Sequence, residues 1–219
     1  MRDNLRSVFE TKSWAGKSGA HPRSGPGSDM ASTERLRAAL PGLFDRYRVK
    51  TLIDAPCGDW FWMQAVDLSG VTYIGGDISA NLIAENQARF AAPNISFRHL
   101  DITSDPLPAG DIFLCRDCLF HLKFWLRWKF FENFAASANR TLLLTMHHVA
   151  ENQPVLANGG FKRFNPTLAP FHLPAPLEII HETPDGTPDA EARSLGLWSR
   201  DQVADALARR PTSPPEAVV

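Results

Sequence analysis

The stretch TLIDAPCGDW, residues 51–60, joins a short apolar run to an acid and a tight turn. Residues 51–53 favour a buried strand, because they are apolar or β-prone and the run is short. Asp54 ends the run, and the turn that follows contains one glycine, Gly58. A buried strand that ends in an acid and a turn of small residues can hold a polar ligand, so the stretch predicts a binding site.

Strands and helices alternate along the chain after this stretch. The predicted strands beyond 51–54 are 71–77, 95–101, 111–115, 141–146, 177–182 and 194–198. The predicted helices are 80–92, 122–138, one that begins near Phe61, one that begins at Ser199, and one before the first strand that Pro41 weakens or divides. This alternation predicts an α/β fold: a doubly wound, mainly parallel, Rossmann-like sheet with helices on both faces, in a single domain.

Composition limits the classes of function. The 219 residues are enough for one domain, and the net charge of −1 gives no broad positive field for nucleic acid. No apolar run approaches the ~18 residues that span a bilayer, and the N-terminus lacks the apolar core of a signal peptide. The three cysteines are odd in number in a chain long enough to fold without disulfides. We therefore expect a cytoplasmic protein without nucleic-acid or membrane partners, and a disordered tail at 211–219.

Two segments depart from the alternating pattern. Residues 1–31 form a polar, glycine-rich leader that is either disordered or a flap over the site, anchored in the second case by Phe9 and Trp14. Residues 151–176 form a long loop within the domain 32–210. A loop of this length in a compact domain is usually functional or disordered, and its phenylalanines favour an ordered one.

Each of the first three predicted strands ends in an acid: Asp54, Asp77 and Asp101. Parallel strands bring their carboxyl ends to one edge of the sheet, where doubly wound folds bind ligands. An acid after the second strand can accept two hydrogen bonds from a ribose diol. The sequence lacks G-x-G-x-x-G and G-x-x-x-x-G-K-[ST], which disfavours a nicotinamide oxidoreductase and a nucleoside triphosphate site. The remaining candidate for the ligand is a nucleoside that carries no phosphate group.

With these features the chain resembles the class I S-adenosylmethionine-dependent methyltransferases over residues 48–148. In that family the first strand, its acid and the following turn hold the methionine part of the cofactor, and LIDAPCGDW occupies this place. The resemblance implies that Asp77 in YIGGDIS binds the ribose hydroxyls and that Asp101 with Ile102 in RHLDIT lies beside adenine. The cofactor-binding residues that it implies are Asp54, Ala55, Cys57, Gly58, Asp77, Ile78, Asp101 and Ile102.

A narrower resemblance is to small bacterial members that carry a P-C-G-D turn, an S-G-P-G-S leader and a late G-F-x-x-x-N-x-x-x-x-P-F segment. The turn departs from the usual family pattern, because Pro56 and Trp60 occupy places where glycine is common. Trp60 must therefore point away from the cofactor or cover it. The departure leaves an alternative function open, a domain that has lost cofactor binding and serves as a partner-binding module.

The segment DIFLCRDCLFHL matches the family segment that faces cofactor and acceptor. His121 follows the fourth strand and His147 follows the fifth, so both are candidates for a catalytic base at the ligand edge. Asp117 could orient a histidine or bind the acceptor, and the alternative interpretation is a helix cap or an ion pair. Arg163 and Asn165, in the long loop, are candidates for an acceptor clamp.

Two other patterns have both a chemical and a structural interpretation. Cys115 and Cys118, together with Cys57 and His121, could form a zinc site, but small buried cysteines are the favoured interpretation, so we predict no metal. The predicted helix 122–138 carries more aromatic residues than one buried face needs. This surplus predicts a homodimer surface or a wall of the acceptor pocket.

Together these features predict an S-adenosylmethionine-dependent methyltransferase that acts on a small, hydroxylated acceptor. The predicted reaction is O-methylation, with a sugar as a candidate acceptor because the long loop combines polar and aromatic residues. Such a transfer needs alignment of acceptor, methyl and sulfur, and a hydroxyl acceptor also needs a base.

Overall fold

A computed structural model describes residues 2–11, 22–188 and 192–210. Its helices are α1 (Arg2–Thr11), α2 (Glu34–Tyr47), α3 (Ala80–Phe90), α4 (Phe124–Ala136) and α5 (Arg200–Ala208). Its strands are β1 (Thr51–Asp54), β2 (Thr72–Asp77), β3 (Ile95–His99), β4 (Ile112–Cys115), β5 (Thr141–His147), β6 (Glu178–His181) and β7 (Arg193–Ser199). The predicted disordered tail and Trp14 of the leader lie outside the described residues.

The strands of the described chain form one sheet in the order β3-β2-β1-β4-β5-β7-β6. β1 pairs in parallel with β2 on one side and with β4 on the other, so the strand order reverses at β1. β7 runs antiparallel to both β5 and β6. The predicted doubly wound, mainly parallel sheet is confirmed, and the reversal at β1 opens a crevice of the kind in which such folds bind ligands.

Apolar residues cover both faces of the sheet. On one face, α4 and α5 bury Phe130, Phe134 and Val203 against β4 and β5. On the other face, α2 and α3 bury Leu40 and Ile83 against the same sheet. Each fully buried leucine or phenylalanine contributes about 1.5–3 kcal/mol, so the two layers together provide the main stabilising term. The predicted helices on both faces are confirmed.

The prediction of a helix near Phe61 is wrong, and of the two outcomes predicted for Pro41, a weakened or a divided α2, the second does not occur. Between β1 and β2, a stretch that the structure describes throughout, no α-helix forms near Phe61; a single 3₁₀ turn at Met63–Ala65 gives way to extended backbone at Val66. The Asp67 carboxylate accepts a hydrogen bond at 2.9 Å from the backbone two residues later, a local turn that competes with helix. Pro41 does not divide α2, because the buried apolar face of that helix outweighs one missing hydrogen bond.

The aromatic surplus of α4 is buried by the loop 151–176. The centroid of the Phe171 ring lies 4.8 Å from that of Trp128 and 5.6 Å from that of Phe131. Trp125 is the one aromatic residue of α4 that is exposed, at 38%. The chain's own loop therefore covers most of this surplus, and a homodimer surface or an acceptor-pocket wall on α4 stays a prediction.

A buried arginine of α4 fixes the loop further. The Arg127 guanidinium lies 4.9 Å from the ring centroid of Phe124 and 4.7 Å from that of Phe164, and its Nε donates to the Leu122 carbonyl at 2.8 Å. Burial lowers the pKa of Arg127 to about 10, so the side chain still carries its charge at neutral pH. Its two aromatic neighbours come from α4 and from the loop, so the cation ties the two segments together.

The described part of the leader packs on the domain. Leu5 of α1 is buried in the same core as α4, and Phe9 packs against that core. This is the contact expected of an anchored leader. Among residues 2–11, 22–188 and 192–210, no helix combines the length and the apolarity that crossing a membrane requires.

Gly196→Ala should destabilise the fold by about 1–3 kcal/mol, the usual range for overpacking. A Cβ at Gly196 would lie 2.3 Å from the Trp198 ring, which is fully buried and is held by a 2.7 Å hydrogen bond from its Nε1 to the Pro174 carbonyl. Gly42→Ala in α2 is the matched control, because its Cβ would meet only the tip of Arg46 at 3.3 Å. Denaturant unfolding should show the control as neutral or more stable, and equal losses in both variants would contradict the packing argument.

Candidate functional site

A cavity of about 640 Å³ lies at the carboxyl ends of the central strands. Its lining includes residues at or just beyond the carboxyl ends of the first four strands: Asp54, Asp77, Asp101 and Arg116. A volume of this size suits a small-molecule ligand. The three acids singled out in the sequence therefore meet in one cavity.

Asp54 is the last residue of β1 and is 2% exposed. Its Oδ2 accepts a hydrogen bond from the Tyr73 hydroxyl at 2.7 Å. Burial raises the pKa of Asp54 to about 7, although the Tyr73 hydrogen bond and the charge of Arg116 act to lower it. This carboxyl group therefore changes protonation near neutral pH.

The turn after β1 is built around Gly58, which has a φ of 55°. Its N–H donates to Asp77 Oδ2 at 3.2 Å, and its carbonyl accepts from Asn86 Nδ2 at 2.8 Å. A Cβ at this position would lie 2.2 Å from Ser24 Oγ, so both backbone conformation and space require glycine. Cys57 lines the cavity, whereas Ala55 is buried and is not part of the lining.

Trp60 points away from the cavity. Its backbone has a φ of 56°, and its ring packs between Phe90 at 5.0 Å and Phe97 at 5.5 Å, measured between centroids. The bulky residue in the glycine-poor turn therefore fills the core behind the turn and leaves the ligand side open.

Asp77 and Asp101 are both held by local hydrogen bonds. Asp77 accepts the Ser79 N–H at 2.9 Å in addition to the Gly58 N–H, and burial raises its pKa. Asp101 Oδ1 accepts the Thr103 N–H at 2.9 Å and the Thr103 hydroxyl at 2.6 Å. The apolar residues that follow these acids, Ile78 and Ile102, also line the cavity.

His121 lines the same cavity, on the segment that follows β4. Its Nδ1 lies 2.6 Å from the Gly160 carbonyl oxygen. Because a carbonyl only accepts, Nδ1 carries the proton and the lone pair of the neutral ring belongs to Nε2. This tautomer suits a base.

Asp117 lines the cavity beside His121 and is held by two arginines. Its Oδ2 lies 2.8 Å from Arg193 Nη1 and 3.3 Å from Arg116 Nη1. Burial acts to raise the pKa of Asp117, but Arg116 and Arg193 hold it below its usual value. The residue is therefore a fixed negative charge, and the ion-pair interpretation from the sequence holds alongside its place in the lining.

The two arginines share a second carboxylate that the sequence did not single out. Glu182 is buried, with Oε1 2.7 Å from Arg116 Nε and Oε2 2.7 Å from Arg193 Nε. The antiparallel pairing of β6 with β7 places Glu182 next to Arg193. No local pattern in the sequence could reveal this four-residue network, because Glu182 and Arg193 lie far along the chain from Arg116 and Asp117.

His147, in contrast, is not part of the cavity lining. It is buried at the end of β5, where its Nδ1 accepts the Phe164 N–H at 3.2 Å. Burial lowers the pKa of His147 to about 4, so the ring is neutral at pH 7. The structure thus places this candidate base where it holds the long loop.

The two loop residues predicted to hold the acceptor also lie outside the large cavity. Arg163 lines a separate cavity of about 480 Å³ together with His148 and Phe161. Asn165 is occupied within the loop, where its Oδ1 accepts both the N–H and the hydroxyl of Thr167. Neither residue is in the lining of the large cavity.

The leader contributes Arg23, Ser24 and Ser28 to the cavity lining. Ser24 Oγ donates to Asp59 Oδ1 at 2.8 Å and accepts the Asp59 N–H at 2.9 Å. Further along, Arg116 Nη2 donates to the Gly27 carbonyl at 2.6 Å. The leader is therefore attached at both the turn after β1 and the ionic network.

Metal ligands are not clustered in the part of the chain that the structure describes: no group of three or more His, Cys, Asp or Glu side chains there could hold an ion. Cys57 and Cys115 are buried, and Cys118 is half-buried in the cavity wall. The prediction that the protein binds no metal stays a prediction.

Solved structures of other proteins share this fold, whereas comparisons of sequence alone give no relative. A scan against protein-family models and a search of curated proteins found no match. Among solved structures, 1,6-didemethyltoxoflavin-N1-methyltransferase from Burkholderia thailandensis superposes with a TM-score of 0.62 at 14% identity, over 89% of this chain and 86% of that one. The N-methyltransferase NodS from Bradyrhizobium japonicum gives 0.59 at 14% identity, over 89% and 97%.

A third structure, the magnesium protoporphyrin IX methyltransferase from Synechocystis, gives a TM-score of 0.57 at 12% identity, over 91% of this chain and 96% of that one. This chain has the class I methyltransferase fold. The first two of these structures contain S-adenosylhomocysteine and the third contains S-adenosylmethionine. The predicted methyltransferase fold is confirmed.

Asp54→Asn should stabilise the methyltransferase fold at high pH and leave it unchanged at low pH. The folded protein keeps the Asp54 proton up to about pH 7, whereas the unfolded chain releases it near 3.8, so this carboxyl lowers stability as pH rises between those values. Above pH 7 the variant should gain up to about 4 kcal/mol in unfolding free energy. Denaturant unfolding at pH 4, 6 and 8 measures it, with exposed Asp45→Asn as the control. A gain that is the same at every pH would contradict the shifted pKa.

Proposed function

We propose that the protein is an S-adenosylmethionine-dependent methyltransferase. The observation that carries the proposal is the meeting of Asp54, Asp77 and Asp101 in one cavity of a methyltransferase fold. The lining contains more carboxylates than cationic side chains, which favours a ligand with positive charge. S-adenosylmethionine carries a sulfonium and an ammonium group, so the residues present fit it.

Each part of the cofactor has matching residues in the cavity. Asp77 would accept the ribose hydroxyls, and Asp101 with Ile102 would lie beside the adenine ring. The turn from Asp54 to Gly58 would hold the methionine part, with Trp60 directed away from it. The described residues of the leader, including Ser24 and Ser28, would form the roof, which is the flap interpretation of residues 1–31.

The acceptor would enter beside His121 and Asp117 and would be a small hydroxylated molecule such as a sugar. When bound, S-adenosylmethionine supplies a methyl group on a positively charged sulfur. His121 Nε2 would take the hydroxyl proton as the acceptor oxygen bonds the methyl carbon and the carbon–sulfur bond breaks. The fixed charge of Asp117 would stabilise the imidazolium that results, and such base catalysis contributes ~10²–10⁴-fold. Arg163 and Asn165 do not line the large cavity and would take no part in this step.

The alternative function is a partner-binding module that has lost its cofactor. The glycine-poor turn motivated it, but Trp60 leaves the ligand side open and the three acids remain in place. Calorimetric titration with S-adenosylmethionine separates the two functions, since the module should show no binding. A homodimer and a cytoplasmic location stay predictions.

Asp77→Ala should weaken cofactor binding by about 2–4 kcal/mol, because two charge-assisted hydrogen bonds to the ribose would be lost. Calorimetry should measure the dissociation constants of the parent, the variant and Asp185→Ala, an exposed acid that serves as control. Asp77 also accepts the Gly58 N–H, so thermal unfolding must show that the variant is folded. Equal dissociation constants for parent and folded variant would sink this assignment.

His121→Ala should lower turnover by about 10²-fold or more while cofactor affinity stays near that of the parent. The reason is that His121 lies on the segment after β4, whereas the proposed ribose and adenine contacts lie at the ends of β2 and β3. His181→Ala is the control, because that histidine is on the edge strand β6. Single-turnover rates with a panel of hydroxylated acceptors test the prediction. If His121→Ala kept the parental rate, His121 would not be the base, and alignment of acceptor, methyl and sulfur would account for the rate.

A further inference from the structure

The N-G-G-F segment at 158–161 lies against the backbone that carries His121. The Gly159 N–H donates to the His121 carbonyl at 2.8 Å. The Lys123 N–H donates to Asn158 Oδ1 at 3.0 Å, so the segment is bonded at His121 and again two residues later. We call this segment the clamp.

The clamp also contacts the imidazole. The Gly160 carbonyl lies 2.6 Å from Nδ1 of His121, which fixes the proton on that nitrogen. The ring of Phe120 lies 4.4 Å from the His121 ring and that of Phe161 lies 6.1 Å from it, measured between centroids. One hydrogen bond and two flanking rings therefore set both the tautomer and the direction of the imidazole.

The backbone of the clamp requires its glycines. The Gly160 N–H bonds to the Ala157 carbonyl at 3.0 Å and closes a turn in which Gly159 has a φ of 81°. A left-handed residue at the third position of such a turn is favourable for glycine and costly for other residues. A Cβ at Gly160 would itself lie 3.0 Å from the Ala157 oxygen. This turn aims the Gly160 carbonyl at His121.

The far end of the loop is held by the second histidine. The Phe164 N–H donates to Nδ1 of His147, and the His147 N–H donates to the Phe164 carbonyl at 2.8 Å. His147 can accept this bond only while it is neutral, and its buried site keeps it so at pH 7. His147 thus supports the loop from which the clamp extends.

We propose that the clamp is the positioning element of His121, with Asn158 and Gly159 as positioning residues. It presents the imidazole as the Nδ1–H tautomer, so that the Nε2 lone pair can take a proton. A backbone carbonyl then does for His121 what a carboxylate does in a Ser-His-Asp triad. The catalytic part rests on the proposed function, whereas the tautomer can be observed without any cofactor.

Long-range ¹H–¹⁵N spectra of the cofactor-free protein, labelled at histidine nitrogen, test the clamp. The parent should show His121 as a single Nδ1–H tautomer, and Gly159→Ala should show a mixture with Nε2–H. Gly186→Ala is the matched control, because Gly186 has nearly the same φ, 83°, at a turn with open space around it. With cofactor and acceptor, Gly159→Ala should lower kcat by about 10-fold or more at unchanged cofactor affinity, and the control should not.

A second pair of variants protects the test against a misfolded glycine variant. Asn158→Ala removes the acceptor of the Lys123 N–H, so His121 should become a mixture of the Nδ1–H and Nε2–H tautomers. Asn158→Asp keeps an oxygen at that place, so His121 should stay a single Nδ1–H tautomer. An Nε2–H tautomer in the parent, or an unchanged tautomer in both Gly159→Ala and Asn158→Ala, would overturn the clamp. A released tautomer in a protein without methyl transfer would support the clamp and count against the proposed function.

Discussion

The hydrogen bond from the Gly58 N–H to the Asp77 carboxylate joins the turn after β1 to the end of β2. Asp77 is buried and Gly58 is half-buried, so leaving either group unpaired would cost about 1–3 kcal/mol, and this cost favours the observed course of the turn. The Gly58 carbonyl accepts a hydrogen bond from Asn86 of α3. Because Gly58 has no Cβ, Ser24 of the leader can pack directly against its Cα. One buried carboxylate therefore holds the turn to which both α3 and the leader are attached.

Much of this arrangement was predictable because it follows from local patterns and sheet topology. The alternation of apolar runs gave the parallel sheet, and parallel strands necessarily bring Asp54, Asp77 and Asp101 to one edge. The direction of Trp60 was not predictable, since it depends on Phe90 and Phe97, which come from later elements. The burial of the α4 aromatics by a distant loop escaped prediction for the same reason.

The two candidate bases, His121 and His147, can be distinguished only from the structure. Both follow central strands, and the sequence alone could not rank them. β5 continues through His147, so its side chain is set by the pleat and is buried against the loop. His121 instead lies on a 3₁₀ turn after β4 has ended, and it reaches the cavity. The position of each histidine relative to the end of its strand therefore decides which of the two reaches the cavity.

The attachment of the leader at both ends of the cavity has a kinetic consequence. Its contacts include the reciprocal Ser24–Asp59 pair and the bond from Arg116 to the Gly27 carbonyl. Hydrogen bonds of this kind contribute about 0.5–1.5 kcal/mol each, and about 1.5–3 when a charged group takes part, so undocking is an infrequent event on the scale of their sum. A ligand bound beneath the leader, as we propose, would leave at a rate set by the opening of the leader as well as by its own contacts.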